Sequence, residues 1–260
     1  KRLGIALFAL RSKDLKLTVK GETRVTAAND THVQLNLSAP AVPLVAVRKY
    51  LTLKTIGSPL LESFVEGLQE GELQLKKLGV NGSLVELRNL AQSTARGLVS
   101  FDAELRNVGL KPNADGYLPL HGMQGLIRLE KGVFTFTDLK GNYGQSRFSD
   151  VDGTYQLVPG SKGSLDMHAV GEVDLAELRE QMKLGMLPSQ VASSLADLGG
   201  KGRIDLSLQR SGDSAPRFEG KLTLDNARLR FDEISLTEIK GDLALSPAEI
   251  RTEKLRALLS

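Results

Sequence analysis

The chain has 260 residues, 41% of them hydrophobic but only 5% aromatic, with no Trp, so its interior must be aliphatic. Zero Cys excludes a disulfide framework and any cysteine-based metal centre. A net charge of +3, with Lys/Arg interleaved among Asp/Glu, leaves no basic run to track nucleic acid, so no nucleic-acid partner is expected.

The chain begins with Lys1 and stops inside what reads as a second copy of an earlier hairpin, so a segment of a longer protein is expected. The apolar run Leu3 to Leu10 is far short of the ~20 residues that span a bilayer and reads as a strand. From Asp14 the pattern is strict alternation, with Leu15, Leu17 and Val19 on one face, and Val33, Leu35 and Leu37 repeat it after an Asn29-Asp30 turn. Period-two alternation with one polar face is the mark of antiparallel strands that bury a single side. Pro40 and Pro43 mark the next stretch as a connector. A helix is expected over 59–70, where Leu60, Leu61, Phe64, Val65 and Leu68 share a face behind Ser58 and Pro59. Alternation resumes at Gly71, with Asn81-Gly82 read as a hairpin turn, and continues over Gly97 to Leu105 before a loop at Pro112 to Gly116.

Leu120 to Gly144 reads as a strand hairpin with one apolar face. Strands follow at Val151 to Leu157 and Ser164 to Val173. Asp174 caps a second helical region over 174–198, where Leu175, Leu178 and Met182 share a face; Pro188 restarts it and Gly199-Gly200 ends it. Three further strand segments close the chain, the last being a hairpin over Leu236 to Ser260.

The two hairpins align without a gap: Leu120 with Leu236, Gly125 with Gly241, Leu129 with Leu245, and Met123/Ile239, Ile127/Leu243 and Phe134/Ile250 in phase. Upstream, Val19 and Gly21 match Val151 and Gly153, and Leu35 matches Met167. Leu60 and Phe64 match Val191 and Leu195; Gly71, Leu73 and Leu75 match Gly202, Ile204 and Leu206; Gly97 matches Gly220. A period this long implies tandem copies of a strand-rich unit. The expected division is 1–70 as the end of one unit, 71–198 as a complete unit and 199–260 as the start of the next, all in one continuous sheet.

Residues 125–155, GLIRLEKGVFTFTDLKGNYGQSRFSDVDGTY, combine a Gly, an alternating strand, a short return strand, a small-residue link and a D-V-D-G opening to the next strand. This order resembles the periplasmic repeat region of the AsmA-like family, and the helix-then-strand piece after Val173 is similar to that family's intervening segments. The resemblance implies a long, curved antiparallel sheet forming an open hydrophobic trough, so the fold expected here is mainly β, with this chain's own short amphipathic helices at 59–70 and 174–198 between repeated units. It further implies a periplasmic location, within a protein anchored in the inner membrane of a Gram-negative bacterium by parts outside this segment. The implied ligand is phospholipid, moved between inner and outer membrane. The helices depart from that pattern and would plug, line or cap the trough.

Alternation selects Val33, Leu35, Phe101, Ile127, Leu129, Phe134, Phe136, Leu222, Leu224 and Leu243 as the lining that would bind acyl chains. In an open trough a carboxylate placed at Ile127 would stay hydrated at modest cost to folding. The alternative is a scaffold whose strand edges bind a periplasmic or outer-membrane protein partner. No enzyme, metal or cofactor is expected. His32, His121 and His168 are far apart, Asp150/Asp152 and Glu177/Glu180 suit any solvated face, and neither a nucleophile elbow nor a phosphate loop occurs.

Overall fold

A computed structural model describes residues 2–11, 16–25, 31–46, 66–88, 97–111, 118–158, 163–183, 198–231 and 234–259. It forms one 13-stranded antiparallel sheet in which every strand pairs with its neighbours in sequence: β1 (Arg2–Arg11), β2 (Lys16–Val25), β3 (Thr31–Pro43), β4 (Leu68–Ser83), β5 (Val99–Leu110), β6 (Leu120–Glu130), β7 (Val133–Tyr143), β8 (Ser146–Gln156), β9 (Ser164–Asp174), β10 (Gly199–Ser211), β11 (Arg217–Phe231), β12 (Ile234–Leu245) and β13 (Ile250–Leu259). The sheet does not close, and β1 and β13 are its two edges. Among the described residues two helices interrupt it, α1 (Leu84–Leu87) and α2 (Leu175–Lys183), and 44–46 and 66–67 are also helical.

The alternating segments become strands as expected, and the hairpin at 120–144 turns through Lys131 and Gly132, both at positive φ (51° and 76°). Three local expectations are corrected. Pro40 and Pro43 lie inside β3 rather than in a connector: Pro40 falls within the register shift between Ala39 and Val42, and Pro43 is the last residue of the strand. Asn81-Gly82 is no turn: β4 runs through it, Asn81 pairs with Gln34, and its N–H donates to the Leu98 carbonyl. The chain turns instead at Ser83, where a capping box with Glu86 starts α1. The helix expected over 59–70 does not reach 70, since β4 begins at Leu68; Leu60, Leu61, Phe64 and Val65 lie outside the described residues. α2 is described over Leu175–Lys183, the rest of the expected 174–198 region (184–197) lies outside the described residues, and Gly199-Gly200 opens β10. The Asn29-Asp30 turn, the Pro112 to Gly116 loop and the Leu60/Val191 and Phe64/Leu195 matches also fall outside them.

Asp174 caps α2 as its sequence position suggests, accepting from the N–H groups of Ala176 and Glu177. The carboxylate of Glu177 then accepts from the Gln145 and Ser146 N–H groups and from Ser146 Oγ. Ser146, buried, accepts in turn from the Asp174 N–H, so the start of α2 is tied to the β7–β8 turn.

The pairing register proves the repeat and gives its period, which is six strands. Leu75↔Ala103↔Ile127 across β4–β6 recurs as Ile204↔Leu222↔Leu243 across β10–β12, and Leu105↔Gly125 recurs as Leu224↔Gly241. Gly125 and Gly241 share φ values of 142° and 144°, a region closed to other residues, and each lies against the neighbouring strand's backbone. Two of the matches are displaced. Gly71 (φ 103°) corresponds to Gly200 (φ 101°), so Leu75 matches Ile204, not Leu206; and Phe101, not Gly97, matches Gly220.

Candidate functional site

Directly opposed residues of an antiparallel pair share a face, so the register can be followed across the sheet. One row runs Val19, Leu37, Leu78, Phe101, Leu129, Phe134, Tyr155, Leu165, from β2 to β9. At ~4.8 Å between strands it spans about 34 Å. A second row runs Ala39, Leu75, Ala103, Ile127, Phe136, Gly153, Met167, Leu208, Phe218, from β3 to β11. Gly153 is required there, because a Cβ would strike the Phe136 ring and the neighbouring Asp166 carbonyl.

These rows make one apolar face, on which Ala103 and Val108 lose all exposure. Among the described residues two large core clusters form on it, beside a smaller one of Ala39, Val42 and Ala46. The first joins Leu44, Leu68, Ala103, Leu105, Val108, Met123 and Ile127, flanked by Phe101, Phe134 and Phe136. The second joins Val173, Leu175, Ile204, Leu222, Leu224, Ala227 and Ile239, flanked by Leu243. Each takes one leucine from a helix start, Leu44 at 2% exposure and Leu175 at 0%, which follow equivalent strands, β3 and β9. The helix starts therefore sit on the apolar face, with Leu175 against the backbone of Gly202.

The ten residues selected from alternation divide into groups. Phe101, Ile127, Phe134 and Phe136 come together in the first cluster, with Leu129 pairing both Phe101 and Phe134. Those two rings meet edge to face at 5.8 Å, two strands apart, and so close over Leu129, which keeps only 3% of its surface. Leu222, Leu224 and Leu243 come together in the second cluster. Val33 and Leu35 lie in β3, opposite Gly82 and Val80, outside both clusters. Val33, Ile127, Leu129, Leu222 and Leu224 are buried, whereas Leu35, Phe101, Phe134, Phe136 and Leu243 are half-buried. The expectation of a tolerated carboxylate at Ile127 is thereby corrected: at 7% exposure between Ala103 and Phe136, a charge there has no water to hydrate it.

Alternation missed Val108 and Ala227, both fully buried. Each follows an Asn at positive φ, Asn107 (51°) and Asn226 (61°), where a bulge inverts the parity of the strand. The Asn itself was the available signal, since Asn tolerates the left-handed conformation.

The opposite face is polar and salt-bridged. Arg128 pairs with Asp102 at 3.1 Å and Lys221 with Asp242 at 2.8 Å. Hydrogen bonds from Lys221 and Thr223 hold the Asp242 carboxyl below the usual carboxylate range, and Arg106 does the same for Glu104. An open groove on this side, of about 650 Å³, is lined by Lys76, Asp102, Arg128, Thr135 and Thr137, cations and acids mixed. His32 bonds Asn81 at 2.9 Å, His168 bonds Asp205 at 2.7 Å, and His121 lies 3.9 Å from Glu70; each is a single polar pair. Asp138 joins Asp150 and Asp152 in an exposed carboxylate cluster, where its N–H donates to Asp152.

In comparisons with family models, curated proteins and solved structures, nothing matches the chain.

Proposed function

We propose that this sheet binds phospholipid acyl chains on its apolar face, as one segment of a periplasmic protein that carries lipid between the inner and outer membranes. The observation that carries this reading is the row from Val19 to Leu165. Eight successive strands each place an apolar or tyrosyl side chain in register, all but Leu129 half-buried, and among the described residues no second sheet covers them. Its ~34 Å length exceeds an acyl chain, which fills about half of a ~30 Å hydrocarbon core.

The energetics support the same reading. A ~16-carbon chain in water costs on the order of 12 kcal/mol, at ~0.8 kcal/mol per methylene. A continuous apolar face removes most of that cost while the head group stays in water at the rim, and movement along it requires no bond to be made or broken. The half-buried residues are the ones a chain can touch: Leu35, Phe101, Phe134, Phe136 and Leu243. Buried Val33, Ile127, Leu129, Leu222 and Leu224 shape the floor beneath.

The test is site-specific photo-crosslinking with a benzophenone residue at Phe134, Phe136 or Leu243, against Thr135 and Arg128 on the other face, in vesicles of tritiated phospholipid. Crosslinks from the first three positions and not the last two are expected. Equal labelling of both faces, or none from any position, refutes the proposal.

A further inference from the structure

The apolar row that reaches Leu165 continues one strand further, where Leu165 pairs with Arg210 of β10. Arg210 lies on the side of β10 that carries Ile204, Leu206 and Leu208. Like Leu206 and Leu208 it is half-buried, whereas the residues between them are exposed. A guanidinium thus sits on the aliphatic face, with its Nε buried and without a hydrogen-bond partner. Among the described residues no carboxylate forms an ion pair with it. An unmet N–H of a charged group is costly where water is excluded, so this place calls for an acceptor.

The repeat shows that the cation is no requirement of the framework. Leu35↔Val80 and Val33↔Gly82 between β3 and β4 recur as Met167↔Leu208 and Leu165↔Arg210 between β9 and β10. Arg210 therefore takes the place of Gly82, which is buried beside Leu98 and Leu87; a Cβ on it would meet them at 3.2 and 3.7 Å. One copy fills the place with aliphatic groups, the other with a cation.

The position of Arg210 fits the head of a lipid. It is the last residue but one of β10, Tyr155 is the last but one of β8, and Leu165 is second in β9 between them. All three stand at one rim of the sheet. Tyr155 is two strands from Arg210, the separation at which the Phe101 and Phe134 rings meet across Leu129. Its hydroxyl accepts the Gly163 N–H at 3.1 Å and keeps its own proton to donate. From Arg210 the row crosses Leu165 and Tyr155 to Phe134, three strand spacings or about 14 Å. An acyl chain, at half of a ~30 Å hydrocarbon core, is about that long.

We propose that Arg210, with the Tyr155 hydroxyl, binds the phosphate of a phospholipid head group at this rim, while the acyl chains lie over Leu165 towards Phe134. This site rests on the apolar face being an acyl-chain surface, and it adds the point at which such a lipid is held. The planar guanidinium presents paired N–H donors to phosphate oxygens, and its aliphatic stem packs on the face while the charge reaches the rim.

Two tritiated lipids of equal chain length test it, dipalmitoyl phosphatidylglycerol and the phosphate-free dipalmitoylglycerol, each titrated in uncharged maltoside micelles. Labelling is read from a benzophenone residue at Phe134, in the otherwise intact chain and with Arg210→Gln added. The variant should need about tenfold or more phospholipid for half-saturation, with diacylglycerol labelling unchanged. Its melting temperature should hold, because the Arg210 guanidinium makes no ion pair to lose among the described residues. Inorganic phosphate is the third probe, followed on the Arg210 Nε–Hε resonance of the lipid-free chain, and no saturable shift is expected at millimolar concentration. Saturation there would assign the site to free phosphate and overturn the head-group assignment. Equal loss of both lipids in Arg210→Gln, or loss of neither, overturns the role of Arg210 and leaves the acyl-chain surface standing. Labelling of the parent by neither lipid refutes that surface and this site together.

Discussion

Leu126 and Ile127 are adjacent in β6 and chemically alike, yet the sheet gives them opposite fates. Ile127 exposes 7% of its surface and packs in the first core cluster, while Leu126 exposes 38% on the polar face opposite Thr137. Ile127→Ala removes about three methylene equivalents, roughly 2.4 kcal/mol of transfer free energy, and leaves a cavity between Ala103 and Phe136 that a one-layer sheet closes only by bending. A total of about 3 kcal/mol follows. Leu126→Ala loses only part of an exposed side chain and should cost under about 1 kcal/mol. For a domain of this size about 2–4 °C per kcal/mol applies, so Ile127→Ala should melt about 6–12 °C below the parent and Leu126→Ala within about 3 °C. Circular dichroism melts of both variants are sufficient, with far-UV spectra to confirm that each retains strand content. Equal losses, or a larger loss at Leu126, would mean that the apolar face is not the stabilising one, and the assignment of faces would fall with it.

The glycine pair offers a test of the repeat: Gly125→Ala and Gly241→Ala each force a Cβ into a positive-φ backbone against the next strand, at about 1–3 kcal/mol apiece. Hydrogen exchange should show loosening at β6–β7 in the first variant and at β12–β13 in the second, and a neutral Gly125→Ala would refute the conformational requirement. The Asp242 carboxyl has a folded value lowered by Lys221 and Thr223, so its contribution to stability is present above the ordinary carboxylate value and is lost as pH falls through the lowered one. A carboxyl-carbon NMR titration should place Asp242 below a reference Asp, Lys221→Met should raise it, and an unchanged midpoint in that variant would discard the assigned cause.

Much of this protein was legible as a string. Alternation over Val33 to Leu37, Phe101 to Leu105 and Ile127 to Leu129 determined a mainly β chain with one aliphatic face, because successive side chains of an extended backbone must point to opposite sides. The pairing of Gly125 with Gly241 was legible because a backbone shape that only glycine adopts leaves its trace in composition. What the string could not contain was the parity beyond each bulge. Val108 and Ala227 reach the core because one extra residue at Asn107 and Asn226 is absorbed by the neighbouring strand, a property of the pair and not of either sequence. For the same reason Asn81-Gly82 stays extended: Gln34 and the Leu98 carbonyl, far away along the chain, hold it in the ladder. Depth was likewise decided by tertiary structure, since Ile127 and Phe136 are equivalent letters in an alternating pattern, and only packing against the other strands buries the first while leaving the second half-buried.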